Sequence, residues 1–477
     1  MTLIINIGRD FLLKSKLKFT TALAVLAVAG SAALAADTYG PFPITEKSYS
    51  GDKTNSVSYS GQIARHVLHD SLKALAYKGD GGHNAAALEA QMLAYFNGSD
   101  EDLVIIAPVS KDGFPIKQTT LNEISKGKNI SGKFYKGAMP AWPGNKSGLD
   151  VMLQMISMAA ASEQGYDAVN GFDYGQLISK FTLGAMPYSQ AVDNYLDEKL
   201  AADNKPNNKP YKEGAYYTGK EHSWDEAFGY FGAAAHSVNL DPNQNYSVAK
   251  RKDLAAADAN GDGVVDLKTE YVFGPAYYAA GADKGGTKST DYMGTIFGAF
   301  RDGRALIASA DGAALSDDQR AQLVGYASTI ETAWEQVLAE AAFKYAGSVY
   351  KDINKLKSGE DQDKALRAYV KHWGELKGFT MALQTGKSNL GATAFDLNWL
   401  VGFGPAMLDG KMVSDIDADG NVIRGREMSL EDYQVNMLKV QQLLKDTFGL
   451  KSLANDATAD LAALADKLGA TEAAETD

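Results

Sequence analysis

The chain has 477 residues, no cysteine and a formal net charge of −12 at neutral pH. Acidity without a basic run makes it a poor match for nucleic acid or an anionic membrane surface. The lack of cysteine excludes disulfides and leaves no thiol for a lipid anchor.

Residues 1–35 read as a cleavable signal peptide. Arg9, Lys14, Lys16 and Lys18 form a cationic start, and an Ala/Val/Leu stretch from Thr20 to Leu34 follows. It closes on Ala33-Leu34-Ala35, a small-x-small cleavage pattern. The apolar stretch is about 15 residues, short of the roughly 20 that a spanning helix needs. Cleavage would leave a chain of net charge −15. The expected location is therefore the periplasm or beyond, with no stable membrane insertion.

Residues 36–58, rich in Thr, Ser, Gly and Pro, read as an extended lead-in. Apolar residues then recur at helical spacing over Gln62–Leu75. Similar patterns cover Ala85–Phe96, Gly148–Glu163, Tyr174–Leu200, Trp224–Phe231, Ser289–Ala310, Asp317–Tyr350, Asp361–Gln384 and Leu430–Phe448. Ser316 and Ser429 are placed to cap two of these helices. Strand-like alternation is confined to short pieces such as Val104–Ile106. The predicted fold is all-α: a multi-helix bundle over 36–454 with long loops, followed by an acidic tail at 455–477.

An internal echo divides that bundle. Trp224-Asp-Glu226-Ala-Phe-Gly229-Tyr230 and Trp373-Gly-Glu375-Leu-Lys-Gly378-Phe379 share the skeleton W-x-E-x-x-G-[YF], each with a histidine upstream, His222 and His372. Two pseudo-repeated halves, about 59–250 and 285–450, are the expected reading.

Between them lies Asp258-Ala-Asn260-Gly-Asp262-Gly263-Val264-Val-Asp266, followed by Glu270. Oxygen-bearing residues at positions 1, 3, 5 and 9 with Gly at position 6 suit a hard cation. Asp258, Asn260, Asp262, Val264, Asp266 and Glu270 are the expected calcium ligands. The loop is EF-like rather than an EF-hand, because Thr269 stands at position 12 and Glu270 falls one place later. A second acidic run, Asp415-Ile-Asp417-Ala-Asp419-Gly420-Asn421, reads as a weaker calcium loop or as a hairpin turn.

His222 and Glu226 stand at i, i+4, and His372 and Glu375 at i, i+3, so each pair shares a helix face. Imidazole and carboxylate facing a bundle interior can hold iron or zinc. Equally, each Trp can pack in the core while its Glu bonds a neighbouring helix end. His66 and His69, at i, i+3, could bind metal in the same way but read rather as a solvated face. No nucleophile, phosphate-loop or dinucleotide motif is present, so no catalytic residue is assigned.

The chain resembles the bacterial envelope proteins grouped as domain of unknown function 4856. The resemblance rests on Tyr59-Ser-Gly-Gln62 with Arg65, Leu183-Gly-Ala-Met, Gln190-Ala-Val-Asp-Asn-Tyr195 and His222-Ser-Trp-Asp-Glu-Ala-Phe-Gly-Tyr-Phe-Gly232. Asp266-Leu-Lys-Thr-Glu-Tyr271, Ala299-Phe-Arg-Asp-Gly-Arg304 and His372-Trp-Gly-Glu-Leu-Lys-Gly-Phe379 complete it. Family members are often anchored on a cysteine, so a freely soluble periplasmic form is implied here. More distantly the chain is similar to imelysin-type proteins, doubled helical bundles associated with iron uptake. That likeness would place His372 and Glu375 in a site, although Val370 stands where the motif has Gly.

The expectation is a calcium-braced periplasmic binding protein for a small ligand or metal ion, working beside metal or iron acquisition with an outer-membrane uptake system. The alternatives are a metal-dependent hydrolase with Glu226 or Glu375 as base, and a structural envelope protein.

Overall fold

A computed structural model describes residues 37–99, 101–359, 361–386, 390–417, 420–461 and 463. The expected signal peptide lies outside the described residues. The described residues fall within one compact unit starting at Ala36, and are mostly helical.

After the extended lead-in come α1 (Ser60–Ala76), α2 (Ala85–Asn97), α3 (Gly148–Ala161) and α4 (Tyr174–Leu183). Then follow α5 (Gly219–Phe231), α6 (Pro242–Ala249), α7 (Gly274–Gly285) and α8 (Tyr292–Ser309). The last four are α9 (Asp317–Ser358), α10 (Gln362–Leu383), α11 (Gly391–Val401) and α12 (Leu430–Phe448). Among the described residues no helix is long and apolar enough to cross a membrane.

The spine is α9, 42 residues and so about 60 Å long at 1.5 Å per residue. Ser316 caps it by accepting from the Gln319 amide, and Gly359 ends it in the left-handed conformation at φ 76°. Leu323, Ala327, Ile330, Trp334, Val337 and Leu338 make its buried stripe at the three- and four-residue spacing of one helix face. Helices α8, α10 and α12 pack along it. Ser429 caps α12 through the Asp432 amide, as its sequence predicts.

The long helix expected over 174–200 is tighter for ten residues and then widens into π-type turns at Gly184–Tyr188 and Gln190–Tyr195. Pro187 inside this stretch removes a backbone donor. Gly184 lies so close to α10 that a Cβ there would sit 2.3 Å from the Ala382 Cα.

Strand structure is slight among the described residues. β1 (Tyr166–Asp167) pairs antiparallel with β2 (Phe172–Asp173), aligning Tyr166 with Asp173. β3 (Lys411–Met412) pairs with β6 (Arg426–Glu427), and β4 (Asp415–Ile416) with β5 (Val422–Ile423), both antiparallel. The second acidic run thus spans a hairpin, with the Asn421 amide donating to Asp417 Oδ1 at 2.8 Å. Val104 makes only an isolated bridge to Thr120.

The bundle reaches past its expected end at 454. Gln441 donates to the Asn455 carbonyl at 3.0 Å and accepts from the Ala457 amide at 2.9 Å. Gly347 makes room for that carbonyl, which would lie 2.1 Å from a Cβ there. The first residues of the expected tail are therefore docked on α9.

Candidate functional site

The two echoed segments lie on α5 and α10, and each forms a close helix crossing. At Gly229 a Cβ would meet the Gln62 Cβ of α1 at 2.9 Å; at Gly378 it would meet the Lys180 Cβ of α4 at 2.5 Å. In both crossings the residue facing the glycine reaches the glutamate three positions earlier. Gln62 donates to Glu226 Oε1 at 2.9 Å, and Lys180 Nζ lies 3.8 Å from Glu375 Oε1. Both tryptophans are core residues: Trp224 donates to the Phe300 carbonyl at 2.7 Å and Trp373 to the Tyr433 hydroxyl at 2.8 Å. Since α4 belongs to the expected first half and α10 to the second, the halves are not separate packing units. What recurs is the crossing.

The second crossing opens onto a cavity of about 360 Å³, within the range of small-molecule sites. Helix α1 supplies His69, Asp70 and Lys73; α4 supplies Gln176, Ser179 and Lys180. Lys250 and Arg251, just after α6, line another side, with Tyr277 and Tyr278 of α7 and Lys371 and Glu375 of α10. Five basic side chains therefore meet two carboxylates in one cavity of an acidic chain.

Three buried polar atoms on its wall, His69 Nδ1, Gln176 Oε1 and Glu375 Oε2, have no hydrogen-bond partner. Their residues are only 2%, 6% and 6% exposed. His69 Nε2 sits 3.0 Å from the Ser179 carbonyl. That contact makes Nε2 the donor and leaves Nδ1 an acceptor lone pair. Burial, then His66, Lys73 and Lys180, hold the His69 pKa well below its usual value, so the ring is neutral. Burial, then Lys73, also depress Lys180 well below the usual lysine range. Lys73 acts electrostatically on Lys180, whose ammonium is 5.6 Å from the Tyr278 ring centroid. Asp70 retains 29% side-chain exposure, yet the protein around its carboxyl raises its pKa to about 6.

The cavity is thus lined by basic side chains and tyrosine rings, and by three residues that each hold an unpartnered buried acceptor. Of the candidate ligand-binding and histidine residues singled out in the sequence, only Glu375 and His69 lie here. His69 is the correction among them. Neither it nor His66 is on a solvated face, for both are buried, and His66 Nε2 contacts the Gly229 and Tyr230 carbonyls at 3.1 and 3.0 Å.

The other predicted residues have separate surroundings. His372 Nδ1 pairs with Asp352 Oδ2 of α9 at 2.5 Å. The His222 ring stacks on Tyr217 with centroids 4.2 Å apart, and its Nε2 is 3.9 Å from Glu226 Oε1. The two histidines thus have different partners. Among the described residues no group of three or more His, Asp and Glu side chains is placed to hold a metal ion.

In the acidic loop Asp258 accepts from the Gly261, Asp262 and Gly263 amides, and Asn260 and Asp262 accept from the Asp262 and Val264 amides. Gly261 and Gly263 take positive φ of 71° and 84° to make that curl. Asp266 is occupied by Lys117 at 3.2 Å and Gln118 at 2.7 Å. Glu270 bridges the loop ends, accepting from the Ala259 and Asp266 amides at 3.2 and 2.7 Å. The side chains of Asp258, Asn260 and Asp262 are thus turned onto the loop's own amides, and the last two expected ligands, Asp266 and Glu270, are engaged in closing it.

A family model described as "Domain of unknown function (DUF4856)" matches residues 153–391, half of the chain. The chain belongs to that family. The DUF4856 match runs from within α3 to the first residue of α11, and takes in Gln176, Lys180, Lys250, Arg251, Lys371 and Glu375 of the cavity wall. His69, Asp70 and Lys73 on α1 lie before it. No curated protein and no solved structure matches the chain.

Proposed function

We propose that this DUF4856 protein is an exported binding protein for a small hydrophilic anion, taken up in the cavity between α1, α4, α7 and α10. The observation that carries the reading is a cavity lined by five basic side chains, three of whose other lining residues hold a buried acceptor with no partner. Buried polar atoms are nearly always satisfied, and leaving one unsatisfied costs about 1–3 kcal/mol. A solute with an acid group and several hydroxyl or ammonium groups would satisfy both features. A lining of five basic side chains disfavours a bare metal ion. A role in metal acquisition would then require the metal to arrive within an anionic chelate.

The test compares galacturonate, gluconate, citrate and glutamate with neutral galactose by calorimetry and thermal melts. At 100 times its Kd a ligand adds about 2.7 kcal/mol of stability, a readily measured rise in Tm. At least one acid should bind where galactose does not, and Lys180→Ala should remove the binding. Binding by none of the four acids, or equal binding of galactose, would overturn the reading.

Export rests on the cationic start, apolar stretch and Ala33-Leu34-Ala35 of the sequence. N-terminal sequencing of envelope material should find Ala36 first; intact Met1 in the cytoplasmic fraction would contradict it. A second reading, favoured by the curl of Asp258, Asn260 and Asp262, is a structural calcium ion in the 258–270 loop. Calcium should raise the Tm, and Asp262→Ala should abolish the rise. A melt indifferent to calcium would dispose of that reading.

A further inference from the structure

We propose that Glu226, where α5 crosses α1, is the centre of a second site for the same class of small hydrophilic anion. The ligand class rests on the reading of the cavity; the site itself rests on its own geometry. The crossing at Gly229 repeats the one at Gly378, down to the glutamate three residues before the glycine and its partner on the crossed helix. Glu226 Oε1 accepts from Gln62, while its Oε2 is buried with no partner, as Oε2 of Glu375 is. The Tyr230 hydroxyl is a second orphan: its side chain is 0% exposed and its oxygen has no hydrogen-bond partner. Arg65 and Glu226 both act electrostatically on that hydroxyl.

Around this carboxylate stand cations rather than further acids. Lys128, Lys133 and Lys199 are each within electrostatic reach of Glu226. Yet among the described residues no lysine or arginine forms an ion pair with Glu226; its one charged-type contact is His222 at 3.9 Å. Burial holds the His222 pKa down to about 4, so that contact is with a neutral ring. A purely structural glutamate would be satisfied on both oxygens, and a metal site would require a third donor. A ligand that offers a hydroxyl or ammonium to Glu226 and its acid group to the lysines completes the cluster. His222 and Glu226 each keep 13% side-chain exposure.

The sites differ in one respect. Gln62 occupies the place that Lys180 holds in the cavity, so the second site lacks the central cation. Lys128 and Lys133 are half-buried, whereas Lys180 is sealed from solvent, and charges open to solvent are screened by salt more than buried ones. The second site should therefore be the weaker and the more salt-sensitive.

The experiment is equilibrium dialysis and calorimetry of the full chain with galacturonate, gluconate, citrate and glutamate at low and high salt. Three proteins are compared: the parent, Glu226→Gln, and Lys180→Ala/Glu375→Gln. Glu226→Gln keeps an oxygen for Gln62, and its circular dichroism and Tm report that the fold is intact. Two equivalents bound by the parent, the weaker lost in Glu226→Gln and at high salt, is the expected result. One equivalent that survives Glu226→Gln would overturn the second site while leaving the cavity reading standing. One equivalent lost in Glu226→Gln but kept in the double variant would support the second site and remove the cavity. No binding of any of the four acids would overturn both.

Discussion

Arg304 and Lys180 are both basic side chains sealed inside the helical bundle, at 0% and 4% exposure, and their surroundings are opposite. Arg304 donates to Asp225 at 2.9 Å, to Glu221 at 3.0 Å and to Ser56 at 2.5 Å. The remaining capacity of those carboxylates is used too. Asp225 accepts from the Tyr39 hydroxyl and the Ser58 amide, and Glu221 from Thr45 and the Thr218 amide. Lys180 instead stands 3.8 Å from its carboxylate, beside another lysine and three orphaned acceptors on a cavity wall. Burial of charge therefore does not by itself mark a functional site. The distinction lies in whether every donor and acceptor around it is taken.

Removing Arg304 should have the largest effect. Arg304→Ala leaves two buried carboxylates facing each other, and breaking a buried pair in this way costs about 3–5 kcal/mol. Urea denaturation should show that loss. Limited proteolysis should show the lead-in at 37–58 released, since Tyr39, Thr45, Ser56 and Ser58 are tied to this cluster. Lys180→Met, by contrast, removes a lysine 3.8 Å from its carboxylate and should cost clearly less than Arg304→Ala while abolishing anion binding. Equal destabilisation by the two variants would erase the distinction between them.

Much of the fold is legible in the sequence, because helix caps and three-to-four spacing are local signals. Ser316, Ser429 and the start of α12 at Leu430 lie where expected. Helices α6, α7 and α11 are not anticipated, although Asp241-Pro242 with Gln244 is a capping box in plain view. Helix α7, beginning at Gly274-Pro275 and rich in Gly, Ala and Tyr, has no apolar stripe to announce it. The site is less legible, since a lysine in a helix ordinarily reads as solvated. The available signal is its company: Leu177-Ile178-Ser179-Lys180-Phe181-Thr182-Leu183 belongs to a helix buried on every face. A lysine in such a helix must be paired, neutral or facing a cavity. The W-x-E-x-x-G echo points to the two crossings, but not to α4 as the partner of α10, which depends on contacts distant in sequence.

Lys377 supplies a test of intermediate size and sharpens the same contrast. It is fully buried, donates to the Gly402 carbonyl at 2.7 Å, and burial pushes its pKa down to about 7. An unfolded lysine titrates near 10.4. Between about pH 7 and pH 10 the unfolded chain holds a proton that the folded chain does not, so stability should rise with pH over that window. The slope from this one group is at most about 1.4 kcal/mol per pH unit. Lys377→Met should remove it and make the protein more stable at pH 7. An unchanged slope would mean that Lys377 stays charged when buried.

The smallest effect expected is at Asp70, and it asks whether the cavity works by charge. Burial raises its pKa to about 6, against the opposing pull of Lys73, Arg251 and Lys180. Above that pH the carboxylate is ionised and repels an anion at the cavity; below it the repulsion is gone. Affinity for an acid such as galacturonate should therefore rise as pH falls from about 7.5 to 5.5, a range in which a ligand carboxylate stays ionised. Asp70→Asn should bind more tightly than the parent at pH 7.5 by a few-fold, and should lose the part of the pH dependence centred near 6. At the lower end of the range the two proteins should converge. If Asp70→Asn instead binds more weakly at every pH, then Asp70 accepts a hydrogen bond from the ligand, and the acceptors on this wall outweigh its charge.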